Sequence, residues 1–121
     1  RCSGGLDAQL SYPRSSGDNL LGRVIEVACG LPVTPQPPLL YNRFCAVAAI
    51  IPRKAGEVCA LPDLGSEVLW MVRAGDTVQP PQHCAQRAGF VVVEDMDYDK
   101  AWKDARELVD AYAEALEKKT R

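Results

Sequence analysis

The sequence predicts an α+β fold: a leading loop and helix, a mainly antiparallel β subdomain, and a C-terminal helix packed on the sheet. Three observations predict it. Short apolar, β-branched runs separated by Pro and Gly turns fill the stretch from Phe44 to Asp95, which is the pattern of a strand-rich unit. From Trp102 onward the apolar residues change to helical spacing. Between the first helical pattern and the first strand lies LPVTPQPPLLYN, with four prolines in residues 31–42, which forbids a central strand there and favours an extended strap.

Each element follows in order. Residues 1–18 are rich in Gly, Ser and Pro, and read as a loop whose SSGD end offers several helix caps. A helix over Asn19–Cys29 carries Leu20, Leu21, Val24, Ile25, Val27 and Ala28. Gly30 supplies its left-handed C-terminal residue and Pro32 its stop. FCAVAAII, residues 44–51, is short enough to be a strand buried on both faces. After the PRKAG turn, GEVCAL at 56–61 is expected to pair back on it as a hairpin. EVLWMVR at 67–73 is the next strand, AGDTV at 74–78 a tight turn on Gly75 and Asp76, and GFVVVED at 89–95 the last strand. The closing helix places Trp102, Ala105, Leu108, Val109, Tyr112 and Leu116 on one stripe. Asp95, Asp97 and Asp99 near its start and Lys118, Lys119 and Arg121 at its end suit the helix dipole.

Composition narrows the function classes. A chain of 121 residues is one domain or one lobe of a larger one, able to bury roughly two-thirds of its unfolded surface. A net charge of −2 without a basic stripe argues against nucleic acid and against an anionic membrane surface. No apolar run approaches the roughly 20 residues that cross a bilayer, and no signal-peptide order opens the chain. Cys2, Cys29, Cys45, Cys59 and Cys84 are odd in number and lack a C-x-x-C pair, so they read as reduced thiols in a cytoplasmic protein. His83 beside Cys84 makes neither a zinc nucleus nor a thiolate–base pair, because neighbouring side chains point apart; the expectation is a turn residue beside a buried thiol.

Other constellations resolve to structure. AGDTVQPP resembles the turn of a biotinyl carrier hairpin, but no lysine sits at it, and Lys54 in PRKAGE lacks the preceding Met. Trp70 on a strand reads as core. Glu94, Asp95, Asp97 and Asp99 lack the glycine and spacing of an EF-hand loop and read as helix-start charges.

RCSGG, residues 1–5, pairs residue types that suit an anion. An arginine can hold a carboxylate or phosphoryl group through two parallel hydrogen bonds, and glycines let backbone N–H groups approach it. The chain opens without a methionine and is expected to be a cut edge of something longer. The order R-x-S-G-G, then SGDNLLGRVIEVACGLPV, then a strand ending IIPRKAGEV, then VRAGDTVQP and RAGFVVVED before an alanine-rich helix resembles the C-terminal part of an ATP-grasp carboxylate–amine ligase. L-amino-acid ligases and carnosine-synthase-like enzymes are nearest in pattern.

The resemblance covers nearly the whole chain and implies a division: residues 1–30 end the catalytic region, 31–43 connect, and 44–121 form a β-rich subdomain with its closing helix. It also implies that Arg1 reaches the transferred phosphoryl group or the substrate carboxylate, with Ser3, Gly4 and Gly5 on the loop beside the acyl-phosphate. The Leu6–Ser16 stretch, including Arg14, is longer than the family's usual connection. ATP and Mg2+ belong to the parent enzyme and none is expected on this stretch alone. The implied partners are the remainder of that enzyme and small amino-acid-like substrates. The alternative is a non-catalytic β-rich binding or interaction module.

Overall fold

The computed structural model describes residues 6–121. A π-helical turn at Asp7–Ser11 runs into α1 (Tyr12–Ser16), followed by α2 (Leu20–Ala28). Five strands come next, β1 (Phe44–Ile50), β2 (Gly56–Glu57), β3 (Val68–Trp70), β4 (Thr77–Val78) and β5 (Gly89–Asp95), and α3 (Tyr98–Lys118) closes the chain. The fold is α+β, with α3 packed on the sheet. β5 lies between β1 and β3 in a three-stranded sheet, and β2 and β4 form a separate two-stranded one. β3 runs antiparallel to β5, Val68 opposite Val91 and Trp70 opposite Gly89.

Four expectations change. The segment read as a loop is helical from Asp7 to Ser16. Pro13 falls in the first turn of α1, where no N–H is needed, and the hydroxyls of Ser15 and Ser16 donate back to the Ser11 and Tyr12 carbonyls. β2 pairs with β4, not with β1: Gly56 faces Val78 and Glu57 faces Thr77. The residues read as a tight turn thus contribute a strand of their own, with the turn confined to Ala74–Gly75. β1 is a half-buried edge strand, buried fully only at Ile50. The predicted stripe of α3 holds at Ala105, Tyr112 and Leu116, but at its start the buried residue is Ala101, and Trp102, about 100° further around the helix, is exposed.

The chain divides into two compact units, Arg1–Ala46 with Glu94–Ala101, and Val47–Val93 with Trp102–Arg121. The second contains the main core: Ile50, Val58, Val78, Ala88, Val91, Tyr112, Ala113 and Leu116 form one buried cluster. Each large aliphatic there stabilises the fold by about 1.5–3 kcal/mol. Trp70 flanks this core as expected and meets Tyr112 edge-on, centroids 6.0 Å apart. The Tyr112 hydroxyl accepts from the Leu64 and Ser66 N–H groups at 3.1 and 3.3 Å, which ties the loop before β3 to α3. The C-terminus is seated as well. Glu57 and Arg121 exchange two backbone hydrogen bonds of 2.9 Å, and the Cys59 N–H donates to the Lys119 carbonyl at 2.8 Å. The Lys54 ammonium, rather than standing free as a carrier lysine would, donates to the Thr120 carbonyl at 3.1 Å.

In the first unit α2 ends as expected. Gly30 has φ 67°; its N–H donates to Val27 and that of Leu31 to Glu26, the paired bonds of a Schellman cap. The proline strap then turns back and the Leu40 N–H donates to the Ser16 carbonyl at 2.9 Å. Among the described residues no helix is long and apolar enough to cross a membrane.

Candidate functional site

Arg1, Ser3, Gly4 and Gly5, the residues expected to carry the chemistry, lie outside the described residues. The segment that follows them is built around a buried carboxylate. Asp18 is 1% exposed and lies just before the N-cap of α2, which is Asn19: its side chain accepts from the Gly22 N–H at 2.9 Å. Asp18 therefore is not a cap. Its two oxygens meet the Arg23 guanidinium, Oδ1 with Nη1 and Oδ2 with Nη2 at 2.6 Å. Tyr12 donates its hydroxyl to Oδ2 at 3.0 Å, and the Asp18 N–H donates to Ser16 Oγ at 3.1 Å.

This cluster joins α1, the linker and α2 through one carboxylate. The hydrogen bond from Arg23 is the main force holding the Asp18 carboxyl below the usual carboxylate range, and that from Tyr12 adds to it against the opposing effect of burial. Arg23 is held charged by the same contact. With both oxygens engaged, Asp18 is not available as a proton carrier near neutral pH. The cluster is a clamp that fixes the geometry of the chain just after RCSGG. Sequence reading took SSGD as a choice of caps and missed it. The available signal was Arg23: a cation near the start of a helix opposes the macrodipole and calls for a carboxylate beside it.

A second clamp holds the strap. Thr34 donates to Glu26 from its N–H at 2.7 Å and from its hydroxyl at 2.6 Å, and these two bonds lower the Glu26 carboxyl below its ordinary value. Between the start of α2 and the strap lies a cleft of about 260 Å³ lined by Asn19, Gly22, Arg23, Glu26, Thr34 and Pro35, among others. Its charged groups, Asp18, Arg23 and Glu26, are all engaged in the two clamps, so it offers shape and neutral hydrogen-bonding groups.

The remaining candidates fall into place. Glu94 pairs with Arg14 at 3.6 Å and with Arg43 at 3.4 Å. Asp97 accepts from the Lys100 N–H at 2.9 Å and so caps α3. Asp95 accepts from the Asp97 N–H at 2.9 Å and pairs with the Lys100 ammonium, chiefly through which its carboxyl is lowered. Asp95, Asp97 and Asp99 thus stand at or just before the start of α3, as their order suggests, whereas Glu94 belongs to β5 and serves two arginines instead. Cys84 is exposed, so the buried thiol expected beside His83 is corrected; Cys29 and Cys59 are exposed too. Among the described residues no three His, Cys, Asp or Glu side chains stand together as metal ligands would. Comparison with known protein families, curated proteins and solved structures finds no match to this chain.

Proposed function

We propose that this chain is the C-terminal part of an ATP-grasp carboxylate–amine ligase, cytoplasmic, and not competent by itself. In that reaction class ATP and magnesium activate a carboxylate as an acyl-phosphate, from which an amine displaces phosphate. By the family resemblance Arg1 supplies a permanent cation for the phosphoryl or carboxylate oxygens, and Ser3, Gly4 and Gly5 belong to the loop that serves the acyl-phosphate. Tyr12, Asp18 and Arg23 hold the following segment in place.

The observation that carries the reading, beyond the order of the motifs, is the arm made by the end of α2 and the strap. From Val24 to Asn42 Glu26 is the one charged residue, and it is already engaged by Thr34. α2 buries none of its residues. Val27 is 63% exposed and Leu31 56%. A helix of amphipathic pattern that buries nothing, beside a run depleted of charge, has the composition of an interface core. The ligase reading supplies what covers it, the remainder of the enzyme. An interaction module would also carry such an arm, and activity separates the two.

The test is phosphate release from ATP in the presence of amino-acid pairs, measured on this chain and on the protein extended to include the sequence preceding Arg1. Release is expected only from the longer protein. Arg1→Ala in it lowers the rate about 100-fold or more, the cost of removing one oxyanion-stabilising donor. An undiminished rate in that variant rejects the role given to Arg1, and no amino-acid-dependent release from the longer protein rejects the ligase.

A further inference from the structure

Among the described residues the half-buried arginines are Arg14, Arg23 and Arg87. Arg14 faces Glu94, and Arg23 faces Asp18. Arg87 has no ion pair with a carboxylate among the described residues. Its guanidinium lies over the Phe90 ring, 5.4 Å from the centroid. That stacking restrains the group and leaves its in-plane N–H donors uncommitted. A cation partly removed from water without a counter-charge is costly, and an incoming anion would relieve that cost.

The surroundings define the anion. Arg87 lines a cleft of about 200 Å³ in the second unit, together with Thr77, Gln79 and Gln86. No carboxylate lines it, so nothing repels a negative ligand. The Gln86 carbonyl oxygen accepts from the Gln82 N–H at 2.7 Å, which orients the amide and leaves its NH2 to donate. The opposite character comes from Pro52, Val72 and Val78, which give the cleft an apolar wall. Fixed donors on one side and an apolar surface on the other are the features of a site for a small amphipathic molecule.

We propose that this cleft binds the carboxylate of a small organic acid with a short apolar body, the guanidinium of Arg87 receiving the carboxylate and the proline and valines receiving the body. The inference does not rest on the ligase reading. Its test is a 1H–15N NMR titration of the 121-residue chain with sodium isobutyrate, with neutral isobutyramide of nearly the same shape, and with inorganic phosphate.

Isobutyrate is expected to shift the Arg87 side-chain N–H and the amides of Thr77, Gln79 and Gln86 saturably, and isobutyramide is not. Arg87→Gln weakens isobutyrate about tenfold or more, the loss of one charge-assisted pair. Gln86→Glu keeps the acceptor for Gln82 and adds a carboxylate to the lining, so the fold is retained while the anion is displaced. Equal affinity for isobutyramide, unchanged affinity in both variants, or no saturable shift overturns the proposal. Phosphate binding as tightly as isobutyrate overturns the small-acid class.

Discussion

Gly56 stands where the C-terminal residue closes against β2. Its φ is 154°, and a Cβ placed on it would lie 1.9 Å from the Arg121 carbonyl oxygen. Gly56→Ala therefore forces that carbonyl back. Real Cβ contacts essentially never fall below 3.0 Å, so the withdrawal is roughly 1.1 Å, the difference between 3.0 and 1.9 Å, and it stretches the 2.9 Å bond from the Glu57 N–H out of range. The reciprocal bond from Arg121 to Glu57 is lost with it. Two backbone hydrogen bonds at about 1 kcal/mol each, plus about 1 kcal/mol for alanine at that φ, come to about 3 kcal/mol.

Urea unfolding followed by far-UV circular dichroism reads this as a midpoint lower by roughly 1.5 M. In a chain ending at Thr120 the obstructing carbonyl is gone, and the same substitution costs about 1 kcal/mol. Equal costs in the two backgrounds would show that Arg121 is not seated against Gly56, and the reasoning fails.

Two further predictions concern buried polar groups. Tyr112→Phe keeps the ring against Trp70 and removes only the hydroxyl that serves Leu64 and Ser66; it costs about 1–3 kcal/mol in chemical denaturation. Hydrogen exchange at those two amides speeds up, and unchanged exchange refutes the link. For Asp18 the folded carboxyl is shifted down, first by Arg23. Its stabilising contribution is thus fully present above the unfolded carboxyl's pKa and fades as pH falls through the lower folded value. Asp18→Asn is expected to be less stable than the wild type at neutral pH, with the gap closing in acid; a gap that is constant with pH contradicts the ion pair.

Elements with their own periodicity were legible in the sequence. α3, β5 and the Gly30 stop could be placed from residue types because each is specified by neighbours a few positions away. Pairings were less legible. GEVCAL lies next to β1 in the chain, yet β2 takes β4, because the short strand at Thr77–Val78 brings Val78 into the same core as Val58. That choice depends on a contact about twenty residues distant, which local pattern does not encode. The helical turns at Asp7–Ser16 hid behind Pro13 and three serines, residues that favour loops unless their hydroxyls can bond backward along the helix. Trp102 was drawn into the stripe by its three-residue spacing from Ala105, whereas Ala101, four residues from it, fits the packed face. At the site, the charge on Arg1 and the glycine pair suggested anion binding from residue type alone. The Tyr12–Asp18–Arg23 clamp needed three-dimensional closure to be seen, and Arg87 carried no sequence signal that distinguished it from other arginines.

The proposed role of Arg1 is in an acyl-phosphate chemistry whose nucleotide site would lie in sequence preceding it. Hydroxylamine trapping tests it most directly, because hydroxylamine intercepts an activated carboxylate whatever the natural amine. The longer protein, given ATP, magnesium and a panel of amino acids, is expected to yield a hydroxamate with at least one of them, and Arg1→Ala in a folded protein is expected to abolish most of it. No hydroxamate from the folded longer protein with any acid, or an equal yield from Arg1→Ala, contradicts the account.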